Sequence, residues 1–286
     1  MTGAAIHDQE RAAFRLSRSV FLLFQELVHT ESGIWLGEHK KMLLSGRLAK
    51  RLRQLELESF ESYYYIVKRD PKERWAMLDL LTTNETHFFR DPEQFRHLEQ
   101  VVISEWKRQA DAGKRARMLN IWSAGCSSGE EPYSILMVLL DYFPPESGWS
   151  IRVLGTDISR RVLDKAERGR WPIGQAKEIS PARLKRYMLK GVGRNDKWMQ
   201  AKPELRNRLQ FAYLNLNSAE YNVECKFDMI FCRNVLIYFS SAGKAEVVRK
   251  LFRYLVPGGR LFLSPVESSA SKLLANAEFP GVYASE

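Results

Sequence analysis

From residue 118 onward, apolar runs of strand length alternate with segments of helical length, and that alternation leaves few folds open. Met118-Leu119-Asn120-Ile121-Trp122, Ile151-Arg152-Val153-Leu154-Gly155, Leu209 to Tyr213, Phe227 to Cys232 and Arg260-Leu261-Phe262-Leu263 read as strands. Pro132 to Leu140, Ser159 to Arg168 and Gly243 to Leu255 read as helices. Strands joined by helical crossovers form a mostly parallel sheet with helices on both faces.

Two regions depart from this unit. A connection in such a fold takes about 2–6 residues, yet residues 169–208 precede the strand at Leu209. Ser180-Pro181 starts a helix there, and Gly191-Val192-Gly193 and Asn195-Asp196 mark turns around short strands. The reading is a small β-containing subdomain inserted at about 169–208. Ahead of residue 118, residues 8–81 read as several helices. Phe14, Val20, Phe21, Phe24, Leu27 and Val28 recur at helical spacing, and Ser32-Gly33 interrupts them. Leu44, Leu48, Leu52 and Leu55 form a second stripe, with Lys40, Lys41, Arg47, Lys50, Arg51 and Arg53 beside or opposite it. Asp70-Pro71 opens a helix through Leu80. The expected organisation is a helical N-terminal domain over 1–81, a linker and helix over 82–117, and an α/β domain over 118–286. A chain of 286 residues accommodates one large domain or one and a half.

Composition narrows the class. Apolar residues at 45% and charged residues at 27% exclude disordered, collagen-like and disulfide-scaffold chains. The three cysteines, Cys126, Cys225 and Cys232, form no C-x-x-C pair, and reduced thiols are the simplest reading. No apolar run approaches the ~18 residues of a membrane span; Ile135 to Phe143 is broken by Asp141. Met1 to Asp8 lacks the layout of a signal peptide, so a cytoplasmic protein without membrane insertion is expected. The net charge of +10 sits in one place: residues 151–210 hold sixteen Lys/Arg and six Asp/Glu, and the remainder holds twenty-eight of each. That asymmetry points to an acidic partner, protein or nucleic acid, or to a solubilising surface.

The first strand of the α/β region runs into Ser123-Ala124-Gly125-Cys126-Ser127-Ser128-Gly129-Glu130-Glu131-Pro132-Tyr133. Strand, glycine loop and helix form the nucleotide-type site of a doubly wound fold. The spacing is G-x-x-x-G rather than the dinucleotide G-x-G-x-x-G, and no Gly-Lys-Ser/Thr follows. Glu130 and Glu131 would repel a phosphate and suit a cationic ligand; stabilising a helix N-terminus is their alternative role. Asp157 ends the second strand, where an acid grips a ribose diol; capping the next helix is its alternative. A ribose acid, glycines without a phosphate-binding lysine, and acids for a cationic group together point to S-adenosylmethionine.

Four motifs make the likeness specific. Thr82-Thr83-Asn84-Glu85-Thr86-His87-Phe88-Phe89-Arg90-Asp91, Ser128-Gly129-Glu130-Glu131-Pro132-Tyr133-Ser134, Gly155-Thr156-Asp157-Ile158 and Phe231-Cys232-Arg233-Asn234-Val235-Leu236-Ile237-Tyr238-Phe239 resemble the CheR family of chemotaxis-receptor glutamate methyltransferases. The likeness spans about residues 15–284. It implies a doubly wound, seven-stranded class I methyltransferase sheet with the inserted subdomain, preceded by an all-α domain. It implies methyl transfer from S-adenosyl-L-methionine, leaving S-adenosyl-L-homocysteine, to glutamates on the cytoplasmic domain of methyl-accepting chemoreceptors in membrane arrays. By the same resemblance, Asn84, Thr86, Arg90, Glu131, Asp157, Asn215, Leu216, Arg233 and Asn234 bind the cofactor, with Glu130 the alternative to Glu131. Arg90 and Tyr238 border the transferring methyl. Arg47, Lys50, Arg51 and Arg53 dock receptor helices, with a solvated helix face as the alternative. Some family members take a receptor C-terminal tail by strand addition to the inserted subdomain, and Lys190-Gly191-Val192-Gly193 is compatible with that.

The chemistry agrees with the residues. A glutamate carboxylate, of reference pKa about 4.3, is an anion at neutral pH and needs no general base. No Ser-His-Asp or Cys-His arrangement is visible, and His7, His29, His39, His87 and His97 form no metal-ligand pair, so no metal is expected. Two other readings stand beside this one, a methyltransferase acting on nucleic acid and a non-catalytic cofactor-binding module. The Asn/Asp-Pro-Pro-aromatic motif of amino-directed DNA methyltransferases is replaced here by Cys232-Arg233-Asn234-Val235-Leu236, so no nucleic acid is expected.

Overall fold

The structure, a computed structural model, describes residues 14–268 and 277–285. The N-terminal segment Met1 to Asp8, His7 within it, and the first residues of the 8–81 helical stretch lie outside the described residues. The chain divides into two units. One is built from the residues up to Thr83 with Tyr238–Ser240, the other from Asn84–Ile237 and the residues after Ser240.

The first unit is helical: α1 (Arg18–Ser32), α2 (Lys41–Gln54), α3 (Phe60–Arg69) and α4 (Pro71–Leu81). Its ends follow local chemistry. The Ser17 hydroxyl accepts the Val20 N–H, Gly33 closes α1 at φ 74°, and Asp70 caps α4 with Pro71 behind it. Leu44, Leu48 and Leu52 are fully buried against Phe21, Phe24, Val28, Tyr63, Val67 and Met77. The basic residues of α2 do not share one fate. Arg51 forms a two-pronged ion pair with Glu73 at 2.8 and 2.6 Å, and the Tyr63 hydroxyl donates to the same carboxylate at 2.9 Å. Arg47 donates to the carbonyls of Leu81 and Thr82, at the C-terminal end of α4, and to the Thr83 hydroxyl. Lys50 and Arg53 remain exposed. Within this unit the Trp35 N–H donates to the Tyr238 carbonyl at 2.7 Å, and Lys40 Nζ lies 5.3 Å from the centre of the Tyr238 ring.

The second unit centres on a seven-stranded sheet. Its strands are β1 (Met118–Ala124), β2 (Ser150–Asp157), β6 (Leu209–Tyr213), β7 (Phe227–Phe231), β8 (Leu255–Phe262), β9 (Ala277–Phe279) and β10 (Val282–Ala284), in the order β6-β2-β1-β7-β8-β10-β9. The first five in that order are parallel, and β10 and β9 close the edge antiparallel. Chain order reverses about β1, which opens a crevice at the carboxyl ends of β2, β1 and β7. Helices α7 (Glu130–Tyr142), α8 (Arg160–Arg168) and α11 (Ser241–Arg253) follow β1, β2 and β7. Residues 214–226, between β6 and β7, form turns and no helix, and the sheet positions Asn120, Arg152 and Gln210 are polar and at least partly exposed. Pro257-Gly258-Gly259, between the expected helix end at Leu255 and the expected strand start at Arg260, lies inside β8. Gly258 at φ 71° donates to Ser285 O, and the Ser285 N–H donates to Gly259 O, so edge pairing continues through the irregularity.

The insertion contains β3 (Arg170–Pro172), β4 (Met188–Lys190) and β5 (Trp198–Ala201), an antiparallel sheet in the order β3-β5-β4, with α9 (Pro181–Tyr187) capped by the Ser180 hydroxyl. Its Trp171, Ile179, Tyr187, Met188 and Met199 are buried in the same core as the large sheet. A Cβ on Gly191 would lie 1.9 Å from Asn195 O, so the close turn there requires glycine. Part of the basic excess is consumed internally: Arg183 bonds Asp141 at 2.7 Å and Glu99 at 2.6 Å, and the Tyr187 hydroxyl donates to Asp141.

The Arg51–Glu73–Tyr63 cluster gives a testable pH dependence. Burial pushes the Glu73 carboxyl up, but the hydrogen bonds from Arg51 and Tyr63 outweigh it and hold the carboxyl below its ordinary range. The cluster therefore stabilises the helical unit above the ordinary carboxylate range and loses that contribution as pH falls through the depressed folded value. Urea unfolding of Glu73→Gln should show a loss of about 1–3 kcal/mol at pH 7 and a smaller difference from the parent protein in acid. An equal difference at both pH values would contradict this.

Candidate active site

The glycine loop after β1 is shaped by its neighbours on β2. The N–H groups of Gly125 and Cys126 both donate to Thr156 O, at 2.8 and 2.9 Å. Ser127 N–H donates to Asp157 Oδ2 and Ser159 N–H to Asp157 Oδ1, each at 2.9 Å. One carboxylate thus fixes the loop and begins the turn into α8. Gly125 stands at φ 86°, and a Cβ there would lie 2.3 Å from Val235 Cγ2. Glycine is required by both the backbone angle and the approach of the loop that follows β7.

Arg233 emerges at the end of β7 and turns inward. Its side chain is 1% exposed, and its Nε donates to Glu131 Oε2 at 2.8 Å. Its Nη1 donates to Arg90 O at 2.8 Å and Gln94 Oε1 at 3.1 Å and lies 3.4 Å from Asp91 Oδ2. The guanidinium sits beside the Phe95 and Phe231 rings. Glu131 also accepts from the Ser123 hydroxyl at 2.7 Å. One buried cation therefore joins β1, the start of α7, the loop after β7 and the segment leading into α5 (Pro92–His97). Glu130 is buried too; its burial pushes its carboxyl up, and it accepts from the Ser128 hydroxyl at 2.8 Å.

Four non-glycine residues around this centre hold φ in the left-handed region: Phe89 at 52°, Asp91 at 56°, Ser127 at 49° and Asn234 at 59°. Such angles persist only where surrounding contacts enforce them, and they gather at functional sites. Asn234 is enforced by Glu267, a buried carboxylate that sequence reasoning missed. It accepts from Asn234 N at 2.9 Å, Ile237 N at 3.2 Å and Ser264 Oγ at 2.6 Å. Ser134, present in the Ser128–Ser134 motif without a role of its own, accepts the Phe89 N–H at 3.0 Å and closes that motif onto the Thr82–Asp91 motif.

The expected cofactor residues occupy these places. Asn84 O accepts from the Ser127 hydroxyl at 2.9 Å, Thr86 is partly buried, and Arg90 Nη1 donates to Glu85 O at 3.2 Å. Leu214 N–H donates to Asp157 O, so the segment after β6 begins beside the acid. Asn215 Oδ1 accepts from Asn217 N, and Leu216 is buried. Tyr238 falls in the helical unit, as do Arg47, Lys50, Arg51 and Arg53. Arg47 and Arg51 bond inside that unit, while Lys50 and Arg53 are exposed.

This donor set fits S-adenosylmethionine. The nearly buried Asp157 carboxylate stands at the tip of β2, the glycine loop carries no lysine, and the apolar Leu214 and Leu216 follow β6. Among the described residues, no His, Cys, Asp and Glu side chains gather into a metal-holding group, and no helix is long and apolar enough to cross a membrane.

Comparison with known proteins agrees with this geometry. Residues 84–275 match the family described as CheR methyltransferase, SAM binding domain, and residues 19–82 match CheR methyltransferase, all-alpha domain. A chemotaxis protein methyltransferase of Escherichia coli (strain K12) is 36% identical over 271 residues, covering 93% of this chain and 90% of the relative. One from Salmonella typhimurium is 35% identical over 256 residues, covering 88% and 85%. Chemotaxis protein methyltransferase 1 of Pseudomonas aeruginosa is 38% identical over 257 residues, covering 87% and 89%.

Removing one partner of the buried pair should be more harmful than removing both. Arg233→Met should lower unfolding stability by about 3–5 kcal/mol, and Arg233→Met with Glu131→Gln should recover part of that loss. Additive losses in the double variant would show that the two side chains are not coupled.

Proposed function

The chain belongs to the CheR methyltransferase family, and from that premise we propose that it methylates glutamate side chains on the cytoplasmic helices of chemoreceptors, forming glutamyl methyl esters. The observation that carries the reading is a coincidence of position. The family match over residues 84–275 contains Asn84, Arg90, Glu131, Asp157 and Arg233, which Asp157 and Arg233 tie into one hydrogen-bonded centre.

S-adenosyl-L-methionine, when bound, supplies an electrophilic methyl on a sulfonium. Asp157 would hold the ribose, and Leu214 and Leu216 would flank the base. The acids Glu130 and Glu131 would favour the cationic end, Glu131 while paired with Arg233. The acceptor carboxylate arrives deprotonated, so the protein's task is orientation and exclusion of water. Arg90 suits orientation, because a guanidinium positions a carboxylate through paired hydrogen bonds. Too tight a grip would stabilise the reactant over the transition state. Recognition of the receptor would fall to Lys50 and Arg53 on the exposed face of α2. A receptor tail would add to the edge strand β4. The enzyme would then act at membrane receptor arrays from the cytoplasmic side. The internal pairing of Arg183 and Arg186 weakens the nucleic-acid reading of the basic region.

Three experiments test this. Methyl-labelled S-adenosylmethionine with a chemoreceptor cytoplasmic fragment should give base-labile label on the receptor; label on nucleic acid alone would defeat the proposal. Asp157→Asn should weaken calorimetric binding of S-adenosylhomocysteine about 10- to 100-fold. Lys50→Glu with Arg53→Glu should lower kcat/KM for the receptor about fivefold or more with cofactor affinity unchanged. Unaltered receptor kinetics in that double variant would remove the docking role.

A further inference from the structure

The segment from Thr83 to Arg90 has no regular secondary structure, so its backbone groups need partners from elsewhere. Three successive residues find them on three separate elements. Phe88 N–H donates to Glu178 Oε2 at 3.0 Å, Phe89 N–H to Ser134 Oγ at 3.0 Å, and Arg90 O accepts from Arg233 Nη1 at 2.8 Å. Ser134 and Arg233 belong to the large sheet and its helices. Glu178 belongs to the inserted subdomain, at the end of the short turn Ile173–Glu178 that follows β3.

A second residue of the insertion reaches the other half of the site. Trp171, on β3 and buried, donates its indole N–H to Ser128 O in the glycine loop at 3.1 Å. Its ring meets Phe88 edge-on at 5.0 Å and Tyr133 edge-on at 4.8 Å. Trp171 thus touches the glycine loop and the Thr82–Asp91 motif together. Arg183, from α9, lies 4.9 Å from the Phe89 ring while bonded to Asp141 and Glu99. Phe89 and Asp91 hold left-handed backbone angles, which persist only where surrounding contacts enforce them.

We propose that Glu178 and Trp171 are positioning residues for the methyl-donor site, so that the inserted subdomain helps to build the site that binds the donor in addition to any role in recognising receptors. The proposal rests on the reading of Asn84, Arg90 and the glycine loop as donor-binding elements. Glu178 acts through the Phe88 N–H and Trp171 through Ser128 and Phe88, and neither takes part in the chemistry.

The test uses the full chain with S-adenosylhomocysteine as the probe and receptor methylation as the turnover assay. Glu178→Ala removes the acceptor of the Phe88 N–H and should weaken calorimetric affinity about tenfold. It should raise the donor KM by a similar factor, with kcat at saturating donor changed less than twofold. Glu178→Gln keeps an acceptor oxygen and should restore affinity to within about twofold of the parent. Trp171→Phe keeps the aromatic packing, loses only the indole N–H, and should also raise donor KM; it stands in should Glu178→Ala fail to fold. Folded Glu178→Ala and Trp171→Phe with parental affinity and donor KM would overturn the proposal, even if their melting temperatures fell. Failure of the parent protein itself to bind S-adenosylhomocysteine would instead overturn the donor-site reading beneath it.

Discussion

A guanidinium removed from water must be paired and hydrogen-bonded, or it unfolds what surrounds it. Arg233 meets that requirement with the Glu131 carboxylate, the Arg90 carbonyl, the Gln94 amide oxygen and, at longer range, Asp91. Those partners come from parts of the sequence more than a hundred residues away. The pair therefore fixes the loop after β7, the start of α7 and the entry into α5 relative to one another. Asp157 does the same on the other side of β1, binding the glycine loop through Ser127 and the start of α8 through Ser159. Between these two charged centres, four non-glycine residues hold left-handed angles. The site is held firmly because charges with little access to solvent leave its loops few alternatives.

That rigidity suits the proposed chemistry. Joining an already ionised carboxylate to a methyl group requires no proton to be moved in the attacking step. Placement of the reacting atoms and exclusion of water supply the catalysis instead. A buried hydrogen-bonded scaffold serves placement better than a set of titrating groups would. The cysteines nearby fit the same picture: burial pushes the Cys126 and Cys232 thiols well up, which keeps them neutral beside the carboxylates.

Much of the fold was legible because its signals are local. Period-two and period-3.6 patterns located the strands β1, β2, β6 and β7 and the stripe Leu44-Leu48-Leu52, and Gly33, Asp70 and Ser180 marked helix ends. What escaped was set by distant contacts. Gly258, past the expected helix end at Leu255, sits in a strand that Ser285 extends. Arg47 and Arg51 look like surface cations beside an apolar stripe, yet Glu73 and the end of α4 draw them inward. Glu267 and Glu178 looked like ordinary polar residues, and Ser134 had no role beyond its place in a motif, because their importance lies in backbone N–H groups that no sequence pattern reveals. The motif residues themselves were found, but the bonds that assemble them were not.

The most direct test of the central claim is amide hydrogen exchange with and without S-adenosyl-L-homocysteine. Binding should slow exchange together at the segments 84–91, 123–130, 155–159, 214–217 and 233–236, because Asp157 and Arg233 make them one cooperative structure. Protection confined to a different surface, or protection of the glycine loop without the 84–91 and 233–236 segments, would contradict a single donor site built around those two charges.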